Sequence, residues 1–245
     1  MLISDSGFIV SQKKFSENLM LINILSKNNG LIKGLTRISR KKKFFLFENV
    51  EFDWKSKNIN NLGYLNIETN YNSFSLEEEI YSLLIKASIS ELCIIFLANN
   101  ENNQKIYNQI SRIIDFLRDN IEENYKLKCK EYIYFEINFL ENIGYGIDCS
   151  KCVVSGSSNN LKYISPKSGC AVSETNGAPY KKKLLKLPNF FLDQKKHVEP
   201  KELCDGFQVT TFFLNKAKKE MEINNKKNMI FREEILKKIE AKAYY

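Results

Sequence analysis

Two sets of residues in this 245-residue chain have the types and spacing that binding or metal chemistry requires. The first is cationic. The stretch Lys33-Gly34-Leu35-Thr36-Arg37-Ile38-Ser39-Arg40-Lys41-Lys42-Lys43 carries six basic residues and no acidic one. Lysine, arginine, hydroxyl side chains and backbone N–H groups are the donors that meet nucleic-acid phosphates. Lys33, Arg37, Arg40, Lys41, Lys42 and Lys43 are therefore the candidate nucleic-acid-binding residues. Gly34 and the hydroxyls of Thr36 and Ser39 suit a close approach to a sugar–phosphate backbone. Phe44, Phe45 and Phe47 follow directly, placed to stack on bases if they are exposed. The alternative is a solvated basic loop followed by core phenylalanines. The second set is sulfur. Cys149-Ser150-Lys151-Cys152 has the C-x2-C spacing of a zinc knuckle, and Cys170 follows eighteen residues later. Ser173 stands where the partner of Cys170 would fall, and serine is a poor zinc ligand. The candidate metal residues are thus Cys149, Cys152 and Cys170, with His197 or Cys204 to complete them. The incomplete set favours a metal-free hairpin that uses the cysteines as small core residues, and no cofactor is expected.

The rest of the inventory argues against catalysis. The chain has one histidine, His197. It has no H-x-E…C-x2-C deaminase signature, no Walker A loop and no dinucleotide-binding glycine fingerprint. Carboxylate pairs such as Glu48/Glu51 and Asp115/Asp119 are not gathered into a metal site. Lys+Arg outnumber Asp+Glu by 37 to 29, an excess that suits a polyanionic partner. The opening MLISDSGFIV has no basic leader before a long apolar run. The apolar stretch Leu92–Ala98 is too short to span a bilayer, so a cytoplasmic chain with no membrane partner is expected. Cys93 and Cys129 sit in apolar, helix-like runs and read as buried small hydrophobes.

The elements that must position these groups change character along the chain. Short apolar runs at Gly7–Val10, Leu19–Leu25, Leu31–Leu35, Phe44–Trp54 and Leu62–Glu68 are separated by turn signals such as Asn28-Asn29-Gly30. Five strands in so short a span call for a small closed barrel, which hides its edges. Both an OB-fold and an SH3-like barrel fit. Past residue 75 the period becomes helical. Ser75 reads as a cap with Glu77, Glu78 and Glu79 in the first turn. Ile106, Ile110, Ile113, Ile114 and Leu117 form one stripe, and Tyr125 to Ile143 form another helix ended by Gly144. A glycine- and proline-rich interruption covers 144–180. Helices follow over Phe207 to Ala217 and Met229 to Ala241.

The ordered series Phe139-Leu140-Glu141-Asn142-Ile143-Gly144-Tyr145-Gly146-Ile147-Asp148, Cys149, Cys152, Tyr163-Ile164-Ser165-Pro166-Lys167-Ser168-Gly169, Ala171-Val172-Ser173, Gly177, Pro179-Tyr180, Leu184-Leu185 and Leu187-Pro188 resembles the bacterial RecO family of recombination mediators. Asp5-Ser6-Gly7-Phe8-Ile9-Val10, Glu17-Asn18 and Gly30-Leu31-Ile32-Lys33-Gly34-Leu35 extend the resemblance to the N-terminal part. The resemblance implies an α+β chain: an N-terminal five-stranded OB-fold barrel at 1–74 and an all-helical domain at 75–245 with a degenerate zinc-finger-like insert at about 144–180. It implies binding of single- and double-stranded DNA, with the basic residues after the glycine-containing strand in contact with DNA. It also implies annealing of complementary strands without catalysis, in DNA repair and recombination. The implied partners are RecR, the tail of the single-stranded-DNA-binding protein and, indirectly, RecA; the implied place is the cytoplasm, at the nucleoid. The family's second C-x2-C pair is not matched here.

Overall fold

The computed structural model describes residues 1–38, 43–58, 61–68, 79–120, 124–223 and 228–244. Two units are distinct, Met1–Asp119 and Asn120–Tyr245. The first begins with five strands, β1 (Leu2–Lys14), β2 (Leu19–Ser26), β3 (Gly30–Arg37), β4 (Asn49–Lys55) and β5 (Gly63–Glu68). They close into an OB-like barrel in the order β1-β2-β3-β5-β4, in which only the β3–β5 pairing is parallel. Strict alternation drives this arrangement. In β4, Val50, Phe52 and Trp54 are buried while their neighbours are exposed. They join Ile3, Ile9, Ile22, Ile24, Ile32, Phe44, Leu65 and Ile67 in the barrel core.

β1 is 13 residues long, where apolarity alone points only to Gly7–Val10. Its first half is polar because its side chains serve a turn. The Asp5 carboxylate accepts hydrogen bonds from Ser26 Oγ, Asn28 N (2.9 Å), Asn28 Nδ2 (2.9 Å), Asn29 Nδ2 (2.8 Å) and Ser6 N (2.9 Å). The turn between β2 and β3 is thereby tied to β1. Two helices follow the barrel, α1 (Ile80–Phe96) and α2 (Gln104–Asp119). Glu79 caps α1 by accepting from Ser82 N at 3.3 Å; the expected cap Ser75, with Glu77 and Glu78, lies outside the described residues. α1 is anchored on β1 through a hydrogen bond from Ser90 Oγ to the Val10 carbonyl. The stripe of α2 is buried as its spacing requires, with Tyr107 5.1 Å from the Phe8 ring. Both helices thus fall in the same unit as the barrel. The expected boundary at 74/75 lies outside the described residues.

The second unit is built on α3 (Tyr125–Asn142), α6 (Pro200–Glu220) and α7 (Ile230–Tyr244). Between α3 and α6 come β6 (Leu161–Ile164), β7 (Ala171–Ser173), α4 (Glu174–Gly177), a 3-10 turn at Ala178–Lys183, β8 (Leu185–Lys186) and α5 (Asn189–Leu192). The unit is therefore not all-helical: β7-β6-β8 form a three-stranded antiparallel sheet within the expected insert and just beyond it. α6 starts seven residues before its apolar cluster at Phe207, because Pro200 supplies a favourable first-turn residue. A buried ion pair joins the three long helices. Arg232 Nε and Nη2 donate to Glu136 at 2.6 and 3.0 Å, with side chains 2% and 0% exposed. Thr210, Thr211 and the Phe207 carbonyl complete the network. Such a pair is satisfied only as a whole; removing one partner costs about 3–5 kcal/mol. No helix among the described residues is long and apolar enough to cross a membrane.

The Asp5 network has a definite pH signature. Burial raises the Asp5 carboxyl, but the hydrogen bonds from Ser26, Asn28, Ser6 and Asn29 outweigh it and hold the group below the ordinary aspartate value. A lowered folded-state pKa gives stability that is present above the unfolded value and lost as pH falls through the folded one. Asp5→Ala should destabilise the protein at neutral pH by about 1–3 kcal/mol. Its deficit relative to wild type should shrink at pH values below the aspartate range, as read by thermal unfolding.

Candidate nucleic-acid interface

β3 carries the described part of the basic run. Lys33 and Arg37 are exposed on the strand, and Lys43 is exposed beyond it. Ser39, Arg40, Lys41 and Lys42 lie outside the described residues. None of the ion pairs among the described residues involves Lys33, Arg37 or Lys43. These cations therefore keep their charge for solvent or a ligand. Two neighbours do not act as the sequence suggests. Thr36 is buried. Gly34 answers to packing, since a Cβ there would stand 2.7 Å from Leu65 Cγ.

The phenylalanines also turn inward. Phe44 (7% exposed) belongs to the barrel core, Phe47 (3%) is buried at a left-handed φ of 60°, and Phe45 is half-buried. Among the described residues, the exposed aromatic rings of the first unit are instead Phe15, 57% exposed in the turn between β1 and β2, and Tyr64, 64% exposed on β5. Phe15 is a single aromatic among polar neighbours and Tyr64 one position of an alternating strand, so neither carries a sequence signal for binding.

Charge is segregated around the barrel. Asp5, Glu51, Asp53 and Glu68 line a depression of about 370 Å³ on β1, β4 and β5. Glu51 and Glu68 are directly paired across the sheet, where like charges repel. A polyanion is thus disfavoured on this wall.

The cysteine insert folds as two turns brought side by side, with a bridge between Asp148 and Cys170. Cys152 is buried, and its sulfur receives Ser173 N at 3.3 Å and lies 3.5 Å from Ser173 Oγ. Burial raises the Cys152 thiol, but hydrogen bonds from Ser155 and Ser173 outweigh it and bring it to about 5. Cys149 is pushed up to about 12 by burial, with Asp148 and Cys170 adding to the effect. His197 is exposed and faces Glu199 at 3.1 Å, while Cys204 is buried on α6. Among the described residues no group of three or more His, Cys, Asp or Glu is arranged to hold a metal. The donors present do not fit a tetrahedral zinc: Ser173, where the partner of Cys170 would fall, offers a hydroxyl already bonded to Cys152, and neither His197 nor Cys204 is grouped with the other cysteines to complete the set.

Residues 77–217 match the family model described as recombination protein O, C terminal. A DNA repair protein RecO of Rickettsia bellii is 33% identical over 219 residues, covering 87% of this chain and 88% of that protein. The DNA repair protein RecO of Ehrlichia chaffeensis is 31% identical over 250 residues, 97% and 98% of the two chains. The chain belongs to the RecO family. The RecO family match spans α1, α2, the cysteine insert and most of α6. The relatives extend the RecO likeness to nearly the whole chain, barrel included.

Replacing the odd donor tests the reading of this RecO-family insert. Ser173→Cys should take up about one equivalent of zinc, while wild type purified without added zinc should carry well under one, both by elemental analysis. One equivalent in wild type, lost on Cys149→Ser, would show that the donors do form a site.

Proposed function

We propose that this RecO-family protein binds single- and double-stranded DNA along the outer face of β3 and anneals complementary strands as a recombination mediator, with no covalent chemistry. The observation that carries this reading is the set of exposed cations, Lys33, Arg37 and Lys43, that enter no ion pair among the described residues, on a closed barrel where Asp5, Glu51, Asp53 and Glu68 gather on β1, β4 and β5. Two phosphate backbones repel each other. Cations that neutralise them, with release of counterions, let strands meet without any bond being made or broken. Membership of the RecO family supports a non-enzymatic role.

In this reading residues 1–74 are the DNA-binding domain, and 75–245 are the partner-facing part with a degenerate zinc-finger-like insert at 144–180. The partners are RecR, the tail of the single-stranded-DNA-binding protein and, indirectly, RecA, at the cytoplasmic nucleoid. An adaptor role beside DNA binding is favoured by a groove of about 600 Å³ in the second unit. Tyr134, Ile137, Ile147, Leu161, Phe191 and Leu192 give it apolar walls. Exposed Lys195 and Lys196 follow Gln194 at its edge, which suits an acidic, flexible tail.

Reversing Arg37, Arg40, Lys41, Lys42 and Lys43 to glutamate should weaken single-strand binding strongly and leave the circular dichroism and melting curve near wild type. Neutralising Lys33 or Arg37 to alanine should lower the salt slope by about 0.7 for each phosphate that is no longer neutralised, equally for all DNA sequences. Wild-type affinity and slope in a folded charge-reversed variant would refute the assignment.

A further inference from the structure

The first unit contains a cleft that adjoins one of these cations. It has a volume of about 300 Å³ and lies beside Lys33, small for a ligand pocket and suited to one flat ring. Phe15 and Leu62, 57% and 43% exposed, stand at its rim with Leu21. Trp54 forms its floor, held by a hydrogen bond from Nε1 to the Lys33 carbonyl at 3.0 Å. Asn61, Asn99 and Asn100 line the same space, and an asparagine carboxamide carries both donors and an acceptor.

The backbone that carries Asn99 and Asn100 is fixed. The segment after α1 runs beside β3, where Asn99 bridges Leu31 and Asn100 N donates to the Leu31 carbonyl at 3.1 Å. That approach requires Gly30, φ +70°, because a Cβ there would sit 2.0 Å from the Glu101 carbonyl oxygen. On the other side, Phe15 N and Ser16 N both donate to the Leu19 carbonyl and fix the turn that carries Phe15.

An exposed aromatic ring, apolar walls, amides for a base edge and one cation for the adjoining phosphate are the parts that hold an unpaired nucleobase. We propose that this cleft is a one-base subsite for single-stranded DNA: Phe15 and Leu62 grip the faces of a base, Asn61 or Asn99 meets its edge, and Lys33 holds its phosphate. A base inside a duplex is stacked and paired and cannot enter, so the subsite makes the barrel prefer single strands. The proposal rests on the DNA-binding reading above and adds base contact to it.

Trp54 is the chain's one tryptophan, so its emission reports on the cleft floor. Two probes of equal length and charge serve: oligothymidylate and an abasic strand. Oligothymidylate should change Trp54 emission and bind about tenfold more tightly than the abasic strand. Phe15→Ala and Leu62→Ser, at exposed positions, should each cut the affinity for oligothymidylate about five- to tenfold. The abasic affinity and the salt slope should stay as in wild type. Equal binding of the two probes, or unchanged oligothymidylate affinity in both variants, overturns the subsite alone. Absence of binding by either probe overturns the DNA-binding reading with it. A change of emission with N-acetylphenylalanine amide but not with oligothymidylate would also overturn it and mark a site for a protein side chain.

Discussion

The barrel closes through a seam two residue pairs long. β3 meets β5 only at Gly34–Gly63 and Leu35–Tyr64. Both members of the first pair are glycine for a steric reason. A Cβ on Gly34 would fall 2.7 Å from Leu65 Cγ, and one on Gly63 only 2.2 Å from Trp54 Nε1. The indole fills the end of the barrel under the seam and ties itself to the backbone of β3 at Lys33. The outer face follows from this closure. Lys33 and Arg37 project outward, Tyr64 is exposed beside Leu35, and Leu62 reaches the rim of the neighbouring cleft. A side chain at either glycine would open the seam and scatter the groups assigned to DNA.

Charge is sorted on the same frame. Asp5 is engaged by the β2–β3 turn, and Glu51, Asp53 and Glu68 lie on β4 and β5 around the depression, away from the outer face of β3. The proposed contribution of the exposed cations on β3 is electrostatic and long-ranged. In the second unit the deeply buried Arg232 has the opposite task. It is wholly satisfied by Glu136, Thr210, Thr211 and a carbonyl, so it organises helices and is closed to solvent.

Legibility in the sequence tracks how local each feature is. The alternation of Val50, Phe52 and Trp54 and the stripe of α2 are local and show directly as period two and period three to four. The polar half of β1 does not, because Ser4, Asp5 and Ser6 are strand residues whose reason lies at residues 26–29 and 53. The small sheet of the second unit leaves no such trace, because β6, β7 and β8 have four, three and two residues, too few to show a period. Phe44 and Phe47, next to a basic run, fit either an exposed platform or a core by sequence. The fold decides for the core: the segment is tied to β1 by Gln12 Nε2 on the Phe44 carbonyl at 2.8 Å and by Phe47 N on the Ile9 carbonyl at 2.7 Å. The cleft gathers residues from positions 15, 21, 33, 54, 61–62 and 99–100. No spacing rule joins such segments, so only the fold reveals it.

On the proposed reading, DNA lies along β3 of the barrel. Photo-crosslinking with single strands carrying thiothymidine, followed by mass spectrometry of the attached peptides, tests it most directly. The account predicts crosslinks within residues 15–43 and at 61–64 or 99–100. Crosslinks confined to Asn120–Tyr245, such as at Lys181, Lys182 and Lys183, with the barrel unlabelled, would contradict it.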